Sequence, residues 1–346
     1  MGKEVILDVK NLNIAFQTYG GILRAVRGVN FNLHKGETLA IVGESGCGKT
    51  VTAKSIMGIL PKDNTIMDAK KSQINFDGKN LLALNEREMS KVRGRDIAMI
   101  FQDPMTSLNP TMKVGEQIAE SMYLHGISKK EARVEALKML ELVKIPNAKT
   151  RFNQYPFEFS GGMRQRAMIA VALACKPKIL IADEPTTALD VTIQAQIMDL
   201  IGELQKELSM GVVLITHDLG VVASVADRIM VMYAGKVAER GNKDHIFYDL
   251  KHPYTYALLK SVPRLTVQNK EKLYSLFGTP PDLVTPPKGC PFAARCEFAM
   301  KICDIHPPER HEFGEMHSAA CWLHDERADK RDLPAQFLKR GESNGQ

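Results

Sequence analysis

The stretch Gly43-Glu44-Ser45-Gly46-Cys47-Gly48-Lys49-Thr50 constrains this chain more than any other. It reads G-x-x-x-x-G-K-[ST]. The apolar run Thr38-Leu39-Ala40-Ile41-Val42 leads into it, and residues 51–57 read as the helix that follows. Three glycines let the backbone curl so that successive N–H groups point inward, and the helix N-terminus adds positive dipole. In that geometry Lys49 neutralises the β and γ phosphates and Thr50 offers its hydroxyl to Mg²⁺. A Gly-rich turn alone carries no such meaning. Between a strand and a helix it implies a nucleoside-triphosphate cradle built from Gly43, Glu44, Ser45, Gly46, Cys47, Gly48, Lys49, Thr50 and Val51.

With 346 residues, the chain has room for two to three modest domains, each with a core of its own. No stretch approaches the roughly eighteen uninterrupted apolar residues of a membrane span. The start, Met1-Gly2-Lys3-Glu4-Val5, carries an acid and no apolar leader core, so the chain reads as cytoplasmic. A net charge of +6, with basic and acidic residues interspersed, argues against a one-sided nucleic-acid face.

Taken in order, Val5-Ile6-Leu7-Asp8-Val9 and residues 24–33 alternate as half-buried antiparallel strands. Residues 72–79 make a third, closing in an Asp-Gly turn. Phe16 to Gly21 reads as a loop whose aromatic stacks on a base or covers the core edge. Ile97-Ala98-Met99-Ile100-Phe101 is a short strand ending at Gln102, after which Pro104 and Pro110 impose a loop. Residues 114–143 are helical, with no sustained heptads. Ser160 caps a further helix whose approach, Ser160-Gly161-Gly162-Met163, leaves its first amides open. Ile179-Leu180-Ile181-Ala182-Asp183-Glu184 is a buried parallel-type strand ending in two acids. Asp183 suits Mg²⁺ beside Thr50, and Glu184 suits a base drawing a proton from attacking water. A helix follows Asp190 to about residue 208. Val212-Val213-Leu214-Ile215-Thr216 delivers His217 to the sheet edge where ligands sit in such folds. Two short strands then turn at Ala234-Gly235-Lys236.

These pieces, in this order, resemble an ABC-transporter nucleotide-binding subunit over residues 4 to about 248. The resemblance rests on the P-loop at 43–50, Gln102, the signature Phe159-Ser160-Gly161-Gly162-Met163, the strand ending Asp183-Glu184, the D-loop Ala188-Leu189-Asp190 and His217. The signature departs from the commoner L-S-G-G-Q at its first and last residues. The family implies an α/β fold: a P-loop NTPase with a RecA-like core, an antiparallel β subdomain and a helical subdomain (about 104–165). It also implies head-to-tail pairing, in which Ser160, Gly161, Gly162 and Met163 meet ATP held on a partner's P-loop. Gln102 would join Thr50 and Asp183 around Mg²⁺, Glu184 and His217 would serve hydrolysis, and Tyr19 would stack on adenine, with Phe16 the second choice.

The remainder narrows the subfamily. His252-Pro253-Tyr254-Thr255, Gly278-Thr279-Pro280-Pro281-Asp282-Leu283 and Gly289-Cys290-Pro291-Phe292-Ala293-Ala294-Arg295-Cys296 resemble the extension of oligopeptide/dipeptide importers. That implies residues 249–330 as the extension and 331–346 as a polar tail. It also implies two membrane permease subunits, a second and different ATPase subunit, and an external peptide-binding protein. Nickel and glutathione importers share relatives of this tail. A soluble ABC ATPase acting on nucleic acid or ribosomes is the rival reading. This chain lacks the long coiled coil or second cassette such proteins carry, so no nucleic-acid partner is expected.

Cys290, Cys296, Cys303 and Cys321 crowd into the same extension, at C-x5-C-x6-C-x17-C, in a proline-rich segment with few periodic apolar residues. Such a segment reads as unable to fold by burial alone, so shared thiolate ligation would supply cross-links. The tight knuckle of zinc sites is absent. The spacing fits a 4Fe–4S cluster better, as members of the peptide-importer family carry, with zinc or unliganded thiols as alternatives. His306, His311 and His317 lie nearby and could compete as ligands, but in a polar stretch they read as solvated.

Overall fold

The computed structural model describes residues 4–68, 70–102, 107–187, 190–261, 276–329, 333–334 and 337. Strands β1 (Val5–Thr18) and β2 (Gly21–His34) form one long antiparallel hairpin. Its ladder runs past the alternating segments through Phe16↔Leu23 and Gln17↔Ile22, so most of the expected loop at 16–21 is strand. β4 (Thr65–Met67) and β5 (Gln73–Phe76) add to β1, and β6 (Lys79–Asn80) returns from β5. Asp77 and Gly78 between them both take positive φ (47° and 74°), the primed-turn geometry that an Asp-Gly pair favours.

The second sheet has the order β12-β13-β11-β10-β3-β9-β8-β7 among the described residues. Here β3 is Thr38–Val42, β7 Ile97–Ile100, β8 Ile179–Asp183, β9 Gly211–Ile215, β10 Arg228–Tyr233 and β11 Lys236–Asn242. From β10 to β7 every neighbour is parallel. Along β8, Ile179 and Ile181 enter the core shared with the hairpin sheet, whereas Leu180 and Ala182 enter the core under the helices. Burial on both faces is why these strands read as unbroken apolar runs. Parallel alignment also opens the C-terminal ends of β3, β9, β8 and β7 on one edge, bringing Gly43, His217, Glu184 and Gln102 to it.

The helical run expected over 114–143 divides into Val114–Tyr123 and Lys129–Leu142. Gly126 turns the chain at φ 94°, and the Ser128 side chain accepts from the Glu131 amide to start the second helix. Gly161–Leu173 packs into the same core through Ala167, Ile169, Ala170 and Leu173. Asp103, Pro104 and the residues to 106, and Ala188-Leu189, lie outside the described residues.

The extension folds differently from its expectation. β12 (Arg310–Glu312) and β13 (Ser318–Ala320) pair with each other, and β13 pairs with β11, so they prolong the core sheet. Tyr254, Phe292, Cys290 and Cys303 share one apolar core with Ala40, Val42 and Val231 of the sheet. Burial therefore does hold this segment, because its few large side chains pack on a face the parallel strands leave open. His317 is not solvated but 1% exposed: it stands just before β13, against Glu239 with Nε2 to Oε1 at 3.1 Å, stacked on His245. His306 is exposed and His311 half-buried. Most of 331–346 lies outside the described residues, yet Phe337 is buried against Leu250 and Tyr256, so that segment is not wholly polar.

Candidate functional site

The P-loop leaves β3 at Gly43, where an added Cβ would stand 2.2 Å from the Met232 carbonyl oxygen; no side chain fits there. Helix Lys49–Ile56 begins after Gly48 (φ 101°) with no side-chain cap, so its first amides are open to an anion. Lys49 is buried, its Nζ donating to the carbonyls of Gly43 (2.8 Å) and Glu44 (3.0 Å). Ser45 and Gly46 form the exposed crest. Cys47 faces inward, and burial pushes its thiol up from the usual range, which makes it a space-filler. Val51, Gln102 and Glu184 join the loop around a cavity of about 560 Å³.

Two carboxylates arrive at the end of β8. Asp183 is buried and accepts a hydrogen bond from the Thr50 hydroxyl at 3.1 Å. Burial raises its carboxyl above the usual range, with the Thr50 bond pulling the other way. Hydroxyl and carboxylate oxygens in this juxtaposition are the donors a hard cation such as Mg²⁺ takes. Glu184 sits at φ 47°, a strained conformation for a side-chain-bearing residue, with its amide donating to Ile215 O at 2.9 Å. Its Oε2 accepts from Gln102 Nε2 (2.9 Å) and from the Thr187 hydroxyl (3.0 Å), and its Oε1 lies 3.3 Å from His217 Nδ1. Residues far apart in the chain thus meet on one carboxylate. Sequence reasoning missed Thr187; the available signal was a hydroxyl three residues beyond a strand-end acid.

The remaining motif residues lie elsewhere. Ser160 caps its helix, Oγ accepting from Met163 N at 3.4 Å, and the corner with Gly161 is exposed. Ser160, Gly161, Gly162 and Met163 do not line the cavity. Asp190, also exposed, caps Val191–Leu208 through Ile193 N at 2.9 Å. Tyr19 stands fully exposed at the hairpin tip and does not line the cavity; Phe16 does, beside Leu23 and Ala25. The strands continue past Phe16, which sets Tyr19, the first choice by sequence, outside the cavity lining. Pro280, Pro281, Asp282 and Leu283 of the extension complete the wall, a contribution no local motif announced.

The four clustered cysteines are free, and burial raises the thiols of Cys290, Cys296 and Cys321, the last two strongly; Cys296 is pushed up to about 12. Gly289 lets Cys290 N reach Cys303 O at 2.7 Å, since a Cβ there would stand 2.0 Å from that oxygen. The donor chemistry suits a thiolate-ligated group. Among the described residues, however, no three His, Cys, Asp or Glu side chains close around a point that would hold a metal ion.

Comparison with known proteins places these features. Residues 26–187 match the family described as ABC transporter, and residues 238–303 the one described as Oligopeptide/dipeptide transporter, C-terminal region. The chain is 57% identical to the Dipeptide transport ATP-binding protein DppD of Bacillus subtilis, covering 94% of this chain and 97% of that protein. It is 56% identical to the Oligopeptide transport ATP-binding protein OppD of the same organism, covering 95% and 92%. The dimeric structure of MJ0796, a bacterial ABC transporter cassette, superposes with a TM-score of 0.59 at 29% identity, over 68% of this chain and 98% of that one. A post-hydrolysis structure of the same cassette, bound to ADP and Pi, gives 0.60 over the same shares, also at 29% identity. The chain is an ABC-type ATPase and belongs to the ATP-binding subunits of the oligopeptide/dipeptide ABC transporter family.

Proposed function

We propose that this chain energises the import of oligopeptides or dipeptides, working at the cytoplasmic face of the membrane. It would pair with a second, different ATPase subunit on two permease subunits supplied by an external peptide-binding protein. The observation that carries the ATPase chemistry is the meeting of Gln102, Thr187 and His217 on Glu184 beside an intact P-loop. The peptide cargo is supported by relatives named for dipeptide and oligopeptide transport that align along nearly the whole chain. No helix among the described residues is long and apolar enough to cross a membrane, and this reading assigns the channel to the permeases.

In this reading the loop amides and Lys49 hold the β and γ phosphates. Mg²⁺ would be held by Thr50, Asp183 and Gln102, and when bound it neutralises phosphate charge. Glu184 takes a proton from the attacking water as its oxygen bonds to the γ-phosphorus; the bond to the bridging oxygen breaks and ADP leaves. His217 orients that water, and Asp190 stands at the facing surface. The Ser160-Gly161-Gly162-Met163 corner, exposed at Ser160 and Gly161, reaches ATP on the partner ATPase subunit. Phe16 stacks on the base. Phe16→Ala should weaken ATP binding by about 1–3 kcal/mol, the usual worth of base stacking, while Tyr19→Ala leaves it unchanged. Fluorescent-nucleotide titration reads both, and the reverse pattern would restore Tyr19.

For Cys290, Cys296, Cys303 and Cys321 we propose a structural 4Fe–4S cluster, supported by four free thiols, of which Cys290, Cys296 and Cys303 share one core and Cys321 interacts electrostatically with all three. One purification tests cargo machinery and cluster together. Anaerobic isolation from solubilised membranes should yield a brown protein containing iron, with permease chains attached. Zinc or a colourless protein would remove the cluster, and co-purification of nucleic acid in place of membrane chains would remove the transporter assignment.

A further inference from the structure

Glu44, the second residue of the P-loop, places a carboxylate in the loop that lines a cavity read as an anion cradle. Unneutralised, that charge would oppose a polyphosphate. It is neutralised from the extension. Arg295 Nη1 donates to Oε2 at 2.6 Å and Nη2 to Oε1 at 2.9 Å, the two-pronged pairing that arginine alone among cationic side chains can make. The Arg295 side chain is only 5% exposed, and it is locked in turn. Its Nε donates to Phe277 O at 3.0 Å, and Nη1 also to the Tyr233 hydroxyl at 3.1 Å.

The same loop residue is held at its backbone. The Glu44 amide donates to the hydroxyl of Tyr254, a fully buried ring packed against Tyr233 and Phe292 at centroid distances of 4.6 and 5.3 Å. Side chain and amide of one loop residue are thus both gripped by the extension, whose residues 280–283 also line the cavity.

We infer that Arg295 is a positioning residue of the ATP site: by pairing with Glu44 it fixes the loop and removes a repelling charge, making the extension part of the nucleotide site. The inference rests on the reading of residues 43–50 as the ATP cradle. Its signature is a dependence on phosphate number, because Glu44 belongs to the loop read as the phosphate cradle, while the base is assigned to Phe16 on the hairpin.

The test uses the full chain as wild type, Arg295→Ala, Arg295→Lys and the double variant Arg295→Ala/Glu44→Gln. Each is first checked for folding by thermal melting, then titrated with ATP, ADP and AMP. Arg295→Ala should weaken ATP binding about ten- to a hundredfold, from the worth of charge-assisted hydrogen bonds, with ADP affected less and AMP unchanged. Arg295→Lys should restore part of the affinity, and the double variant most of it, since the unpaired carboxylate is gone. In steady-state hydrolysis KM should rise far more than kcat falls. A folded Arg295→Ala chain that binds ATP within twofold of wild type overturns the inference. So does an equal loss for ATP and AMP, which marks a merely structural contact. If Arg295→Ala does not fold, Arg295→Lys carries the same comparison. A wild-type chain that bound no ATP would instead overturn the parent reading, and this one with it.

Discussion

Glu184→Gln should slow ATP hydrolysis by about two to four orders of magnitude while leaving ATP affinity close to wild type. The substitution keeps the side chain's size at a backbone position already strained at φ 47°, so no new conformational cost arises. An amide oxygen can still accept the Thr187 hydroxyl, now 3.0 Å from Glu184 Oε2. What disappears is the ability to take a proton. Binding should survive because Lys49, Thr50 and the loop amides do not hydrogen-bond to Glu184; the Thr50 partner is Asp183. Phosphate release under saturating ATP, with a parallel nucleotide titration, reads both halves. Turnover equal to wild type would strip Glu184 of the role of base.

Lys49→Ala has the opposite signature. The ammonium is the cation built into the loop itself, and its loss removes charge-assisted bonds to the phosphates, each worth about 1.5–3 kcal/mol. ATP affinity should therefore fall at least about a hundredfold. The effect is larger than for a surface lysine, since Nζ also ties the loop together through the carbonyls of Gly43 and Glu44. Hydrolysis then fails for want of substrate, so raising ATP should recover rate in Lys49→Ala but not in Glu184→Gln. Calorimetric titration showing wild-type affinity in Lys49→Ala would contradict the cradle.

The two variants probe parts of the site that were unequally legible. Lys49, Thr50, Asp183 and Glu184 could be read directly because each motif carries its own geometry. A strand, a glycine-rich turn and a helix start occupy consecutive residues, and the paired acids end an apolar run. Thr187 was harder, for a threonine in a loop has many uses, and only the meeting on Glu184 distinguishes it. Tyr19, the first choice by sequence, stands outside the cavity for a physical reason: alternation marked the ends of β1 and β2 but not how far the hairpin ladder runs. Two more paired residues decide whether an aromatic lines the cavity or points into solvent.

The extension shows the same division more sharply. Its sequence is proline-rich and only weakly periodic, and from that it reads as needing ligand cross-links. Its core is borrowed: Tyr254, Cys290, Phe292 and Cys303 pack on residues of β3 and β10 that a linear reading assigns to another unit. His317 likewise looks solvated by composition and is buried against Glu239, just ahead of the strand β13 that pairs with β11.

The sequence by itself determined the chemistry of this protein: a phosphate loop, two strand-end acids, a histidine and a glutamine at strand ends, and a capped helix with open amides. Each is a local pattern whose function follows from backbone geometry within a few residues. Only the tertiary structure decided what surrounds them: Phe16 in the cavity wall, Gln102 and His217 on Glu184, residues 280–283 as a wall, and Arg295 paired with Glu44 across 251 positions. Such contacts depend on how sheets and loops close over long chain separations, and hydrogen-bonding partners that distant leave no periodic trace in the residues between them.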